Sequence, residues 1–160
     1  MRYKILFICL GNICRSSAAE AVMREKLIEA GMSEQVMVDS AGLIDYHEGE
    51  PSDPRMRKHA NRRGYTITHL SRPIRLADFE TFDMIIGMDD SNIQRLRRLA
   101  KNDEQRDKIH KMTEFCVDTH TNSVPDPYYG GAQDFELVLD LLDDTCGGLI
   151  TYLQGILPPQ

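Results

Sequence analysis

The sequence contains no apolar run that approaches the length of a membrane-spanning helix, which needs about 20 residues. Arg2 and Lys4 precede a short apolar segment, residues 5–8, but this segment is shorter than the apolar region of a signal peptide and no cleavage-site pattern follows it. We therefore expect a cytoplasmic protein that does not bind or cross a membrane.

Positive charge is scarce as well. The 160 residues include 19 lysines and arginines against 25 aspartates and glutamates, which gives a formal net charge of -6 at pH 7. Nucleic acids and anionic membrane surfaces attract proteins through a cationic field. The charge balance therefore argues against nucleic acid as a partner.

Cysteine is limited to positions 9, 14, 116 and 146, and no two of these form a C-x-x-C pair. Structural zinc sites usually draw on such pairs, so we expect no metal. Without an export signal, the four thiols are expected to be reduced. The chain also lacks G-x-x-x-x-G-K-[ST], and no G-x-G-x-x-G follows its first predicted strand, so we expect no nucleotide and no other cofactor.

What the sequence does contain is an alternation of short apolar segments with amphipathic ones. Strands are predicted at residues 5–8, 36–38, 82–88 and 109–112, and helices at residues 16–30, at residues 54–63, behind Asp89 and over residues 135–153. This order is typical of an α/β fold. We predict a single domain over residues 1–160, a three-layer sandwich with a four-stranded parallel sheet and helices on both faces.

Residues 9–16, Cys-Leu-Gly-Asn-Ile-Cys-Arg-Ser, connect the first predicted strand directly to the first predicted helix. A loop in this position points backbone N–H groups and the positive end of the helix dipole at one small space, which favours an anion. Gly11 allows the loop to fold tightly. The positive surroundings stabilise a thiolate at Cys9, and the Arg15 fork suits two phosphate oxygens. This combination predicts cysteine-dependent hydrolysis of a phosphate ester, with a buried structural cysteine as the alternative.

Asp126 is the candidate acid for such a reaction. An alkoxide or phenoxide leaves a phosphate ester more easily when an acid protonates it. Pro125 and Pro127 restrict the backbone on both sides of Asp126, and Tyr128 and Tyr129 follow. A Pro-Asp-Pro segment on its own is also consistent with an ordinary turn.

Residues 9–16 together with Asp126-Pro127-Tyr128-Tyr129 resemble the low molecular weight protein tyrosine phosphatases. The resemblance extends over essentially the whole chain, and its further motifs are Asp39-Ser40-Ala41-Gly42, His69, Phe82-Asp83 and Met88-Asp89-Asp90-Ser91-Asn92. The C-x5-R-[ST] loop alone occurs in several phosphatase folds. Its position at the N-terminus, with Asp-Pro-Tyr-Tyr near the C-terminus, is much more specific.

The resemblance implies a protein-tyrosine-phosphatase that works without a metal. Cys9 is expected to attack phosphorus and form a phosphocysteine, while Arg15 and the loop amides stabilise the transferring group. Asp126 then acts first as acid and later as base. The residues expected to form the phosphate-binding loop are Leu10, Gly11, Asn12, Ile13, Cys14, Arg15 and Ser16.

The resemblance also assigns residues that support this loop. Asn12 is expected to form hydrogen bonds with Ser40 and His69, and Ser16 to donate a hydrogen bond to the Cys9 thiolate. From the sequence alone, His69 is expected to be an ordinary surface or core-edge histidine, and only the resemblance favours the supporting role. Asp89 is expected either to support the loop or Arg15, or to cap the helix behind it.

Tyr46 and Tyr128 are expected to form the walls of a substrate cleft, because a phosphotyrosine ring packs well against aromatic faces. Tyr129 is expected nearer the rim. Each tyrosine on its own is also consistent with a partly buried surface aromatic. The expected partner is a phosphotyrosine protein, with a tyrosine kinase as one candidate, and we expect a monomer.

Two residues of the same neighbourhood carry separate expectations. The resemblance implies that Cys14 forms a reversible disulfide with Cys9 when the latter is oxidised, which makes Cys9 and Cys14 a redox pair. Ser17 departs from the family, which commonly has proline after the serine at position 16. Proline would preset the first helical turn, so its absence puts the rigidity of the helix start in doubt.

Two other functions are considered. Thioredoxin-coupled arsenate reductases share the cysteine–arginine loop but require further cysteines, and this chain has Gly87, Met88 and Asp89 where those would lie. A non-catalytic phosphotyrosine-binding module would need neither a thiol nucleophile nor a placed acid.

Overall fold

The apolar segment near the start of the chain forms the central strand of a parallel sheet. In the computed structural model, which describes residues 2–159, the strand order is β2-β1-β3-β4. The strands are β1 (Tyr3–Cys9), β2 (Val36–Gly42), β3 (Met84–Gly87) and β4 (Ile109–Lys111). Tyr3 pairs with Val36 and Ile5 with Met84, so β1 has a parallel neighbour on each side. The prediction of a four-stranded parallel sheet is confirmed.

Alternate side chains of β1 enter two different cores. Ile5 and Phe7 belong to a cluster with side chains of the first, second and last long helices, whereas Leu6 and Ile8 pack with Phe79 and other residues on the opposite face. Because successive side chains of a strand point to opposite faces, one continuous apolar segment supplies both cores. The helices therefore cover both faces of the sheet, and the predicted three-layer architecture is confirmed.

The helices are α1 (Arg15–Glu29), α2 (Pro54–Arg62), α3 (Asp78–Thr81), α4 (Asp90–Leu99), α5 (Asp103–Arg106) and α6 (Ala132–Ile156), with a 3-10 helix at Met112–Phe115. Gly31, with φ of 70°, follows the end of α1 as predicted. The short helices α3 and α5 and the 3-10 helix were not predicted, because four residues are too few to show a helical period. Among residues 2–159, no helix has both the length and the apolar character that crossing a membrane requires.

The long helix α6 carries the predicted apolar stripe. Phe135, Leu142 and Leu149 are fully buried on it, and Cys146 lies among them. At Gly148 the helix passes so close to the 3-10 helix that an added Cβ would lie 1.9 Å from the carbonyl oxygen of Phe115. Only glycine fits this contact between α6 and the 3-10 helix.

Candidate active site

The loop of residues 9–16 follows the carboxyl end of β1 and ends in the first residues of α1. Its left-handed residue is Asn12, with φ of 59°, a conformation that asparagine tolerates better than most residues. Gly11 does not have a positive φ. A Cβ at position 11 would lie 3.2 Å from the His47 ring, so glycine here permits close packing instead.

Cys9 is buried at the base of the loop, and its Sγ lies 3.0 Å from the Ser16 hydroxyl. Ser16 Oγ accepts a hydrogen bond from Asn12 Nδ2 at 2.8 Å. Because that bond occupies an acceptor site of Ser16, its hydroxyl hydrogen is free to point at the sulfur. The structure thus places the Ser16 hydroxyl within hydrogen-bonding distance of the Cys9 sulfur, the contact that the family resemblance implied.

Arg15 is 97% buried, and its guanidinium is held by two fixed partners. Nη1 donates to Asp89 Oδ2 at 2.7 Å and to the carbonyl oxygen of Val124 at 3.0 Å. Burial alone would lower the pKa of Arg15, but negative charge on Cys9 and the hydrogen-bonded Asp89 raises it. Arg15 is therefore a permanent cation, and protein groups hold one end of its guanidinium.

Asp126 projects over the same space from the loop before α6. One carboxylate oxygen, Oδ1, accepts a hydrogen bond from the backbone N–H of Tyr128 at 3.0 Å. The other, Oδ2, lies 3.7 Å from Arg15 Nη2. The Asp126 side chain is 43% exposed, so its carboxyl group is open to the cleft and to solvent.

The cleft above the loop has a volume of about 280 Å³. Its predicted walls are present: Tyr46, Tyr128 and Tyr129 all line it, and Tyr129 is the most exposed of the three. Two residues that sequence reasoning missed, Ile44 and His47, line it as well. The His47 ring packs edge-on to Tyr46, with 4.9 Å between the ring centroids. The cleft thus combines aromatic side chains at its walls with the Arg15 cation at its base.

A buried network supports the loop from behind. Asn12 Oδ1 accepts hydrogen bonds from His69 Nε2 at 2.9 Å and from the backbone N–H of Arg72 at 3.0 Å. The expected hydrogen bond between Asn12 and Ser40 is not formed, because Ser40 Oγ donates to Glu20 Oε1 at 2.8 Å instead. Ser40 thus supports the loop indirectly, since Glu20 Oε1 lies 3.1 Å from His69 Nδ1. Glu20, a buried acid on the alanine-rich helix α1, was the signal that sequence reasoning overlooked.

Glu20, Asp39 and His69 bring their ligand-type atoms within 4.8 Å of one another. Each of these side chains already has protein partners. His69 Nε2 bonds to Asn12, Glu20 also binds Arg24, and Asp39 binds Arg72. The three side chains are thus engaged in hydrogen bonds and ion pairs with other protein groups. Nothing in these contacts favours a metal ion in place of those groups.

Comparison with known proteins agrees with this geometry. The family model described as low molecular weight phosphotyrosine protein phosphatase matches residues 4–156. This chain belongs to that family. A low molecular weight phosphotyrosine protein phosphatase of Homo sapiens is 40% identical over 135 residues, covering 84% of this chain and 85% of its own. The chain is accordingly a protein-tyrosine-phosphatase, a hydrolase.

Solved structures support the same assignment. A protein tyrosine phosphatase from Entamoeba histolytica, with Hepes in its active site, superposes with a TM-score of 0.94 at 46% identity, covering 97% of this chain and 99% of its own. An arginine phosphatase of Drosophila superposes with a TM-score of 0.88 at 28% identity, covering 94% of this chain and 98% of its own. The fold therefore accommodates phosphatases named for two different phosphoamino acids.

Ser17, the departure from the family pattern, forms a contact of its own in this phosphatase. It is buried, and its hydroxyl lies 2.9 Å from the hydroxyl of Ser52. Ser52 in turn donates to the carbonyl oxygen of Ile13, and the backbone N–H of Asp53 donates to the same oxygen at 2.8 Å. Where the family commonly has proline, this phosphatase thus links the helix start to the segment before α2 by hydrogen bonds.

Cys14, the other cysteine of the loop, is buried next to the carboxylate of Asp53. Burial, followed by the charges of Asp53 and Cys9, raises the pKa of its thiol. Cys14 is therefore neutral in the resting phosphatase, and it adds no negative charge beside Cys9.

Proposed function

We propose that this phosphatase hydrolyses phosphotyrosine and other aryl phosphates through a phosphocysteine on Cys9, with Asp126 as acid and base. The observation that carries the proposal is the convergence of three groups in one cleft. Cys9 Sγ lies at its base, Arg15 beside it, and Asp126 Oδ2 is 3.7 Å from Arg15 on the open side. Nucleophile, cation and acid then surround the position of a single phosphoryl group.

In the first step the Cys9 thiolate attacks phosphorus and the bond from phosphorus to the aryl oxygen breaks. The carboxyl proton of Asp126 passes to that oxygen, so a neutral phenol leaves. Arg15 and the loop amides bind the phosphoryl oxygens, where negative charge must be held throughout the transfer. Since Asp89 and Val124 already fix one end of the guanidinium, little reorganisation is required as the reaction proceeds.

In the second step water attacks the phosphocysteine. The Asp126 carboxylate accepts a proton from that water, the bond from sulfur to phosphorus breaks, and Cys9 leaves as a thiolate. The products are inorganic phosphate and the enzyme in its starting protonation state. The hydroxyl of Ser16, 3.0 Å from the sulfur, stabilises the departing thiolate.

The proposed substrate is a phosphotyrosine protein, which includes tyrosine kinases as candidate partners of a monomeric, cytoplasmic enzyme. The aromatic walls support this choice, because Tyr46 and Tyr128 offer faces to a tyrosyl ring. The exposed Tyr129 lies where residues flanking a phosphotyrosine would pass.

We also propose that Cys14 protects Cys9 during oxidation. Peroxide converts the Cys9 thiolate to a sulfenic acid, and the Cys14 sulfur then attacks it, releasing water and forming a disulfide. A thiol reductant later reverses the bond by exchange. Both sulfurs lie in the loop of residues 9–16, five positions apart, which supports the pairing.

The proposal is tested by phosphate release from para-nitrophenyl phosphate and from a phosphotyrosine peptide in the presence of EDTA. The native chain is expected to turn over both esters, Cys9→Ser neither, and Asp126→Ala both much more slowly. Undiminished activity of Cys9→Ser would exclude the mechanism. Assays with phosphoarginine and with arsenate plus thioredoxin extend the test to the competing activities, and turnover of either in place of the phosphotyrosine peptide would contradict the proposed substrate.

A further inference from the structure

Arg55, near the start of α2, contacts the loop that carries Asp126 although the two are far apart in sequence. Its Nη2 donates to the carbonyl oxygen of Tyr128 at 2.8 Å, and Nη1 lies 3.5 Å from the carbonyl oxygen of Gly130. The guanidinium carbon also lies 5.6 Å from the centroid of the Tyr128 ring and 4.7 Å from that of Phe135. Arg55 therefore binds both the backbone and the aromatic side of this loop.

The same guanidinium is fixed at its other side by Asp53. Nε lies 3.1 Å from Asp53 Oδ1 and Nη2 lies 2.9 Å from Oδ2, a fork that only arginine provides. Asp53 is buried, it caps α2 through the backbone N–H of Arg55, and its own N–H donates to Ile13 of the phosphate-binding loop. Two contacts thus connect the phosphate-binding loop to Arg55.

The backbone of residues 126–130 forms only one other kind of hydrogen bond among residues 2–159, and those bonds stay within residues 126–130. The remaining bonds of this backbone are internal, such as the one from the N–H of Gly130 to Pro127. Tyr128 takes part both in the hydrogen bonds from Arg55 and in those within the loop. Its carbonyl oxygen accepts from Arg55, and its N–H donates to Asp126 Oδ1.

We propose that Arg55 is a positioning residue that holds the Asp126 carboxyl at a fixed distance from the phosphate-binding loop. The proposal rests on the function proposed above, because it assigns Arg55 to the proton transfer and not to phosphate binding. The contact joins the nucleophile and the acid, which belong to opposite ends of the sequence. Asp126 is partly exposed, so without the Tyr128 contact its carboxyl would sample positions that no longer reach the leaving oxygen.

Two facts separate this role from a purely structural one. The Arg55 side chain is 47% exposed, and its buried partner Asp53 keeps the hydrogen bond from the backbone N–H of residue 55, which caps α2, when the guanidinium is removed. Arg55 also donates no hydrogen bond to Cys9 or Arg15. Its removal is therefore expected to leave the fold and phosphate binding intact while the protonation of the leaving group suffers.

The experiment compares kcat/KM for two esters that differ in their need for an acid. Phenyl phosphate expels a basic phenoxide, whereas 2,4-dinitrophenyl phosphate expels a phenolate that needs no proton. Arg55→Leu is expected to lower kcat/KM for phenyl phosphate by about 10- to 100-fold and for the dinitrophenyl ester by less than about threefold. Arg62→Leu, an equal change of charge on the exposed side of α2, is the matched control and should alter neither.

Further variants identify the origin of the loss. Arg55→Lys keeps the charge but cannot bind Asp53 with a fork and Tyr128 together, so it should remain impaired with phenyl phosphate. In an Asp126→Asn background, Arg55→Leu should add less than about a twofold loss, because the acid it positions is already gone. Inhibition by inorganic phosphate should stay close to that of the native chain, and assays well below the melting temperature of every variant keep a loss of stability apart from a loss of proton transfer.

Equal losses with both esters, full activity of Arg55→Lys, or an undiminished effect of Arg55→Leu in the Asp126→Asn background would each overturn the proposal. A failure of the proposed function looks different. In that case the native chain hydrolyses neither ester, or Asp126→Asn itself shows no preference for the dinitrophenyl ester.

Discussion

Asp89 contacts Arg15 and caps α4 with the two oxygens of one carboxylate. Oδ2 accepts from Arg15 Nη1 at 2.7 Å, and Oδ1 accepts from the backbone N–H of Asn92 at 2.8 Å. The two roles that the sequence left as alternatives are therefore both present. The link makes the orientation of the phosphate-binding arginine depend on the start of a helix behind β3.

The first prediction separates these two roles. Asp89→Asn preserves a cap, because an asparagine oxygen also accepts from the Asn92 N–H, but it removes the charge that holds Arg15. We expect a loss of about tenfold or more in kcat/KM with little change in melting temperature. Asp89→Ala should show the same loss of activity and a lower melting temperature. Equal activity of Asp89→Asn and the native chain would contradict this.

The second prediction concerns the pH dependence of kcat/KM. Activity should fall at both ends of the pH range, because the proposed reaction needs an ionised nucleophile and a protonated acid at the same time. Asp126→Asn should abolish the fall on the alkaline side and leave the acidic side in place. The measurement is kcat/KM for phenyl phosphate across the pH range. A profile of Asp126→Asn with both limbs intact would exclude Asp126 as the acid.

The third prediction concerns acid stability at a site away from the cleft. Asp144 on α6 accepts hydrogen bonds from the backbone N–H groups of Val117, Asp118 and Thr119. Burial alone would raise its pKa, but these bonds, with that from the Thr119 hydroxyl, lower the pKa to about 2 from a usual 3.8. Since the folded value lies below the unfolded one, the stabilisation is complete above about pH 4 and is lost as pH falls through about 2.

Asp144→Asn should therefore lower the melting temperature at neutral pH, and the difference from the native chain should shrink as the pH approaches 2. The exposed neighbour Asp118 provides the control, because Asp118→Asn leaves the three N–H contacts in place. A difference between Asp144→Asn and the native chain that stays constant down to pH 2 would show that the carboxylate charge is not responsible.

The fourth prediction concerns the serine that replaces the common proline. Ser17→Ala removes the contact to Ser52 in a buried setting, which should cost about 1 kcal/mol in the free energy of unfolding. Ser52→Ala should cost more, because it also removes the hydrogen bond to the Ile13 carbonyl. Urea denaturation measures both. If Ser17→Ala is as stable as the native chain, the hydroxyl contact does not fix the helix start.

The fifth prediction tests the pairing of Cys9 with Cys14. Cys14→Ser should keep its activity in reducing buffer but recover less activity after peroxide treatment and subsequent reduction, because the sulfenic acid of Cys9 is no longer intercepted. Cys116→Ser, with a thiol outside the cleft, should recover like the native chain. Identical recovery of all three proteins would remove the proposed role of Cys14.

The strands, the long helices and the phosphate-binding loop were predictable because each has a local signature. The apolar segment of β1, Gly31 after α1 and the stripe of α6 all depend on neighbours in sequence. The Glu20–His69 contact and the Arg55–Tyr128 contact were not predictable, because they join residues 49 and 73 positions apart. Their geometry depends on how α1, α2 and the loop before α6 pack against the folded sheet.

The hydrogen bonds around Asn12 have a consequence for the thermodynamics of inhibition. Asn12 bonds to protein groups here, those of Ser16, His69 and Arg72, so we expect the conformational entropy of the left-handed turn to be lost when the chain folds. The affinities of oxyanions of different size should therefore depend on their charge and geometry. None of them should lose binding free energy to the ordering of the loop. Calorimetric titrations of phosphate and vanadate should accordingly show no large unfavourable entropy common to both ligands.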